Sequence, residues 1–213
     1  MPSVISPDTT ARADCVRHLR RDDAVPLIYL LSMIIAEKLS KTNRAEYLLY
    51  LWQVEDLLRA YDCDAERIGK EYLSRFTFKD DAEKQAAENW YADFCSIMKS
   101  EGLRKQGHLP ISRNVLQQLS ELHAALTNSP KFPSYQALYL KVLPYIVELR
   151  KKNAESETPE LQTCFELLYG VMMLRLQKRP VSPETATAAS DISALLARLS
   201  DYYFKDKEEP LEF

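Results

Sequence analysis

NRAEYLLYLWQVEDLLRAYD, residues 43 to 62, reads as a helix that is apolar on nearly every side. With about 100° of turn per residue, Leu48, Leu51, Trp52, Glu55, Leu58 and Arg59 share one sector, and Leu49, Tyr50, Val54 and Leu57 fill most of the rest. Such a helix belongs inside a helical bundle. Its polar residues Gln53, Glu55, Asp56 and Arg59 then need partners, because unpaired burial of charge is costly. Asn43 with Glu46 three residues later has capping-box spacing, which predicts a start at Asn43 and an end near Tyr61.

Downstream, the same punctuation recurs. Asp64 predicts the cap of a short helix reaching Arg75, and Asp80 with Glu83 that of a helix stopping at Gly102. In the latter, Ala87, Trp90, Tyr91, Phe94, Ile97 and Met98 follow helical apolar spacing. Gly107-His108-Leu109-Pro110 is a turn, followed by a helix over 111–127 with Val115, Leu116, Leu119, Leu122 and Leu126 inward. Ser134 is expected to cap the next helix, which holds Pro144 and should kink there. Thr158-Pro159-Glu160 and Ser182-Pro183-Glu184 each supply a cap, a first-turn proline and an acid at the positive end of the dipole. These open helices reaching about Lys178 and Tyr203. Linkers this short favour antiparallel neighbours.

Four glycines among 213 residues, with abundant Leu, Ala, Glu, Lys and Arg, agree with an all-α chain. The net charge of −3 gives no reason to expect nucleic acid or an anionic membrane. Cys15, Cys63, Cys95 and Cys164 lack metal or redox spacing and read as buried free thiols in a reducing compartment, the cytoplasm. Residues 1 to about 24 lack a sustained period and are expected to be loose. The run Ala24–Ala36 is too short to span a bilayer and has poor signal-peptide features. Upstream of Met33 the helical punctuation is missing, so 1–32 reads as an extension or a misassigned start. The alternative is a real N-terminal helix over 27–39.

Motifs for chemistry are missing. Cys15, Lys105 and Ser120 stand three residues before His18, His108 and His123, so no Glu-x-x-His di-iron motif exists. The single ExxE, Glu157 to Glu160, straddles Pro159 at a helix start, unlike the paired magnesium-binding stretches of bundle pyrophosphatases. Phosphate loops, nucleophile elbows and zincin motifs are also lacking. No cofactor and no metal are expected. The basic clusters Arg104-Lys105, Arg150-Lys151-Lys152 and Arg175 with Lys178-Arg179 fall at or just beyond helix C-termini, where cations complement the dipole; the alternative is a phosphate-binding face.

What remains is the polar set on the first helix. Glu55 and Arg59 are four residues apart and can pair. One reading is a satisfied core network with Gln53 and Asp56, its partners drawn from His123, Glu148, Arg150, Glu166 or Arg175. The other is an anion site in which Arg59 or Arg150 holds a nucleotide or organic phosphate and the carboxylates orient it. The candidate binding set is Glu46, Gln53, Glu55, Asp56, Arg59, His123, Glu148, Arg150 and Arg175.

Several strings carry a family resemblance. MIIAEKL from Met33, NRAEYLLYLWQVEDLLRAY from Asn43, LSELHAAL from Leu119, YLKVLPYIVELRKK from Tyr139, CFELLYGVMMLRLQK from Cys164 and ISALLARLSDYYFKDK from Ile192 resemble the helical family catalogued as domain of unknown function 4924. The resemblance covers about 33–207. It implies a small all-helical cytosolic protein and no activity, and its members usually begin near the position of Met33. The expectation is therefore a compact, mostly antiparallel bundle of six to seven helices over 33–207, with a C-terminal tail over 208–213. Its expected function is non-enzymatic: interaction with a protein partner or with a second copy.

Overall fold

In a computed structural model of the chain, residues 32–152 and 158–213 are described. The expectations for the N-terminal stretch up to residue 31, for Cys15 and His18, and for Glu157 lie outside them. Among the described residues there are eight α-helices and no strand, so the chain is all-α. They are α1 (Ser32–Thr42), α2 (Arg44–Ala60), α3 (Ala65–Arg67), α4 (Asp81–Ser100), α5 (Pro110–Asn128), α6 (Pro133–Lys152), α7 (Glu160–Leu176) and α8 (Pro183–Glu208). The count exceeds the expected six or seven because Ser32–Thr42 is a helix of its own, corresponding to the N-terminal alternative. No helix among the described residues is long and apolar enough to cross a membrane.

The caps explain most boundaries. Asn43 Oδ1 accepts the Glu46 amide at 3.1 Å, Asp64 that of Arg67 at 3.1 Å, and Asp80 that of Glu83 at 2.8 Å. Ser182 Oγ accepts from Thr185 with Pro183 in the first turn. After Asp64 the chain tightens and loosens in turn: α3 passes into a π-turn over Ile68–Tyr72 and a 3-10 turn over Leu73–Arg75. Two caps differ from expectation. Ser134 lies inside α6, which starts at Pro133; the Phe132 carbonyl accepts the Tyr135 and Gln136 amides, and proline's fixed φ suits the first helical position. Pro159, and not Thr158, is the residue before α7. Helix α6 continues through Pro144, and α8 runs past Tyr203 to Glu208.

The described residues fall into two compact units. In one, formed by Tyr50–Arg113 with 32–41, α4 buries Ala87, Tyr91, Cys95 and Met98. Ile97, expected inward, is exposed instead, because the buried stripe runs one position over. The other unit contains Thr42–Leu49 and the described residues from Asn114 onward. There α6, α7 and α8 pack pairwise around Val142, Ile146, Phe165, Tyr169, Ile192 and Leu195. Leu119 and Leu126 of α5 are fully buried, whereas Leu116 is only half-buried. Helix α2 carries residues of both units and is buried nearly all round, as its sequence requires: Leu48, Leu51 and Leu58 have no exposure and Trp52 almost none.

Candidate functional site

Helix α4 ends in a Schellman turn. The Gly102 amide meets the Lys99 carbonyl, the Leu103 amide meets that of Met98, and Gly102 takes φ +70°. Five residues after Gly102, Gly107 takes φ +87°, and a Cβ there would stand 2.9 Å from Leu103 Cδ2. The chain therefore turns sharply and delivers His108 and Leu109 to the start of α5, with Pro110 as its first residue. The Leu109 carbonyl accepts the Arg113 amide, which puts Leu109 at the capping position. Leucine has no side-chain acceptor with which to cap.

Glu55, fully buried on α2, supplies it. Its Oε1 accepts the Leu109 amide at 2.9 Å and the Ser112 hydroxyl at 2.6 Å. Its Oε2 lies 2.7 Å from His108 Nδ1 and 4.0 Å from the Arg59 guanidinium. A carboxylate at a helix N-terminus is held by the orphan amides and by the positive end of the dipole. With the carboxylate accepting, His108 Nδ1 is the donor, and the imidazole lies stacked on Trp52 at 4.5 Å and 19°.

Arg59 completes the grip on the same loop. Its Nε donates to the Leu103 carbonyl at 3.2 Å, one terminal nitrogen donates to the Gly107 carbonyl, and the other pairs with Asp56 at 2.8 Å. One turn of α2 thus holds both sides of the connection between α4 and α5. A buried carboxylate orienting an imidazole is an arrangement also used to position a base or a metal ligand. Here, however, both carboxylate oxygens are taken up by the protein, and Arg59 is committed to Asp56 and two carbonyls. Among the described residues no group of three or more His, Cys, Asp or Glu side chains could hold a metal ion.

The candidate residues divide accordingly. Glu55, Asp56 and Arg59 meet, as their spacing predicts, and Gln53 is half-buried on the same helix. The partners of Glu55 differ from those expected: they come from the segment 108–112, because α5 needs a cap that its own sequence does not provide. His123, Glu148, Arg150, Glu166 and Arg175 belong to the other unit. Glu46 is exposed, its amide on Asn43, and Glu148 and Arg175 are also exposed. Sequence reasoning missed His108, Leu109 and Ser112 as members of the cluster. The signal was present as a leucine immediately before a first-turn proline, where Ser, Thr, Asn or Asp is the usual choice.

A second polar cluster gathers His123 and Arg150. His123 Nδ1 lies 2.6 Å from the Tyr135 hydroxyl, Tyr139 donates to Glu160 at 2.7 Å, and Arg150 is 3.9 Å from the other Glu160 oxygen. Burial holds the His123 imidazole below its ordinary range and pushes the Tyr135 hydroxyl up. The Tyr139 hydroxyl is pushed up to about 12, by burial and by its bond to Glu160. Cys164 is likewise pushed up to about 12, by burial first and the Glu160 charge second. These shifts favour neutral His, Tyr and Cys, the forms that a packed interior holds at least cost.

A family model described as Domain of unknown function (DUF4924) matches residues 33–210. No curated protein and no solved structure matches the chain.

Proposed function

Because the chain belongs to the family described as Domain of unknown function (DUF4924), we propose its function from its own surfaces: it is a non-enzymatic helical interaction protein of the cytoplasm. The observation that carries this reading is an exposed apolar seam on α6. Leu140 and Val147 are 64% and 44% exposed, one heptad apart, with Pro144 also exposed between them. Large apolar residues scattered singly on a surface are ordinary, but an aligned row on one helix is the form in which helices meet partners. Three buried free thiols, Cys63, Cys95 and Cys164, support a reducing compartment.

The internal saturation of Glu55 and Arg59 favours their structural role over an anionic-ligand site. Light scattering after size exclusion, with affinity capture at cellular concentration, tests the interaction reading. A stable complex that Leu140→Asp disrupts is expected. A strict monomer that retains no partner would overturn it, and saturable thermal stabilisation by a nucleotide or organic phosphate would favour the ligand reading instead.

A further inference from the structure

The chain pairs its half-buried arginines with carboxylates, with one exception. Among the described residues, Arg59 is held by Asp56, Arg67 by Glu71 and Arg150 by Glu160. Arg44, also half-buried and the first residue of α2, makes no ion pair with any described residue. Its guanidinium carbon lies instead 5.3 Å from the centroid of the Tyr47 ring and 5.2 Å from that of Tyr203. One terminal nitrogen donates to Gln118 Oε1 at 3.1 Å, an acceptor shared with the Tyr203 hydroxyl. All of these residues belong to the unit that contains Thr42–Leu49 and the described residues from Asn114 onward.

We infer that Arg44 anchors a binding site for a carboxylate, a site that does not depend on the α6 surface. A guanidinium carries five N–H donors, and this one gives a single bond, to a neutral amide. Its Nε is buried and has no acceptor in the chain. The second terminal nitrogen makes no bond either, and unlike Nε it is not sealed off. Aromatic rings stacked on a guanidinium cover its faces and leave its edge open, and that edge is what forks onto a carboxylate. The surrounding rings also keep water from weakening the pair.

The position of the charge strengthens the case. Arg44 opens α2, at the end of the dipole that favours an anion and disfavours a cation. The acids nearest in sequence do not offset it. Glu46 is exposed and stands about 200° around the helix, Asp201 pairs with Arg198, and Asp206 accepts the Leu211 amide. Lys207 adds a second cation without an ion pair among the described residues, its Nζ 5.7 Å from the centroid of the same Tyr203 ring. A phosphate fits less well, because phosphate sites at helix ends are built from backbone amides. Here the Arg44 amide is taken by Ser200 Oγ at 2.7 Å and the Glu46 amide by Asn43 Oδ1 at 3.1 Å. A free organic acid and an acidic side chain of a partner carry the same carboxylate.

The test uses the full chain and proton–nitrogen NMR. Shielding from water slows exchange at Arg44 Nε, so its N–H should be visible and serves as the reporter, with the Gln118 side-chain amide as a second. Acetate, exchanged for chloride at constant ionic strength, is expected to shift both signals saturably. Arg44→Lys keeps the cation but loses the fork, and should weaken binding by about tenfold or more as read at Gln118. Lys207→Ala, at an exposed side chain, should weaken it several-fold and keeps the test open if Arg44→Lys does not fold. A hexaglutamate peptide that saturates at a lower carboxylate concentration than acetate makes a partner chain the source, and equal saturation makes it a free acid. No saturable shift, or the same shift with chloride, overturns the inference. So does undiminished binding in a folded Arg44→Lys or in Lys207→Ala. Inorganic phosphate that binds more tightly than acetate overturns the assignment to a carboxylate.

Discussion

The carboxylate of Glu55 caps a helix from fifty-four residues away in the chain, by accepting the amide of Leu109, the residue before its first turn, at 2.9 Å. The usual cap is local, a short polar side chain bonding two or three residues ahead. Here the local position is given to a leucine with no exposure, so the junction gains apolar burial and the acceptor comes from α2. The charged groups of α2 thereby fix where the loop 101–109 lies.

Removing that acceptor leaves the Leu109 amide and the Ser112 hydroxyl buried without their partner, takes away the partner of the half-buried His108 Nδ1, and deprives Arg59 of a nearby charge. Glu55→Ala is expected to cost roughly 3–5 kcal/mol, the range for breaking a buried charged network on one side. Glu55→Gln keeps an oxygen for Leu109 and Ser112 and should cost less, on the order of 1–2 kcal/mol. Urea unfolding of both variants checks the order. Equal losses would mean that volume, and not the acceptor, is what Glu55 provides.

Helix identity was legible because each element advertises itself locally: Asn43, Asp64, Asp80 and Ser182 all cap the helices their spacing predicts. The burial of α2 followed from its all-round apolar pattern, and the Glu55–Asp56–Arg59 grouping from helical spacing. The partners of Glu55 were not legible, since pairing between residues so far apart depends on how the loop folds back. Position 109 held a clue only through what it lacks. Ile97 shows a smaller limit: apolar spacing admitted two adjacent stripes, and packing selected the one containing Cys95 and Met98.

Acid should weaken the fold through His123. Burial lowers its folded-state pKa below the ordinary value of about 6.5, so the unfolded chain binds its proton first. The contribution of neutral His123 is fully present above the unfolded value. It is lost progressively as pH falls from there toward the folded value. Denaturant midpoints at pH 7.5 and 5.5 should differ in the wild type, and the difference should shrink in His123→Gln. An unchanged difference would place the acid sensitivity elsewhere.

The buried thiols should be inert in the folded protein. Burial pushes Cys95 and Cys164 up to about 12 and raises Cys63 as well, and the thiolate is the reactive form. In a Cys15→Ser chain at pH 8, a disulfide reagent such as Ellman's should label no thiol rapidly under native conditions. It should label all three in guanidinium. Fast native labelling of any of them would contradict its packing.

Three substitutions at special backbone positions should separate conformational strain from side-chain contact. Gly107 has φ +87°, which L side chains rarely adopt, and an added Cβ would also push the tip of Leu103 aside, so Gly107→Ala should destabilise by on the order of 1–2 kcal/mol. Gly170, inside α7, has nothing within 4 Å of an added Cβ. Gly170→Ala should therefore stabilise by about 0.5–1 kcal/mol through helix propensity. Lys178 ends α7 at φ +55°, with the Arg179 amide on the Leu174 carbonyl, a conformation that glycine adopts without a Cβ penalty. Lys178→Gly relieves roughly 1–2 kcal/mol of that penalty and is opposed by about 0.4–1 kcal/mol of added freedom in the unfolded chain. A small net gain follows, about 1–3 °C in Tm for a chain of this length. If thermal melts showed Gly107→Ala to be harmless, the turn holding Leu103 and His108 against α2 would have to differ from the one described.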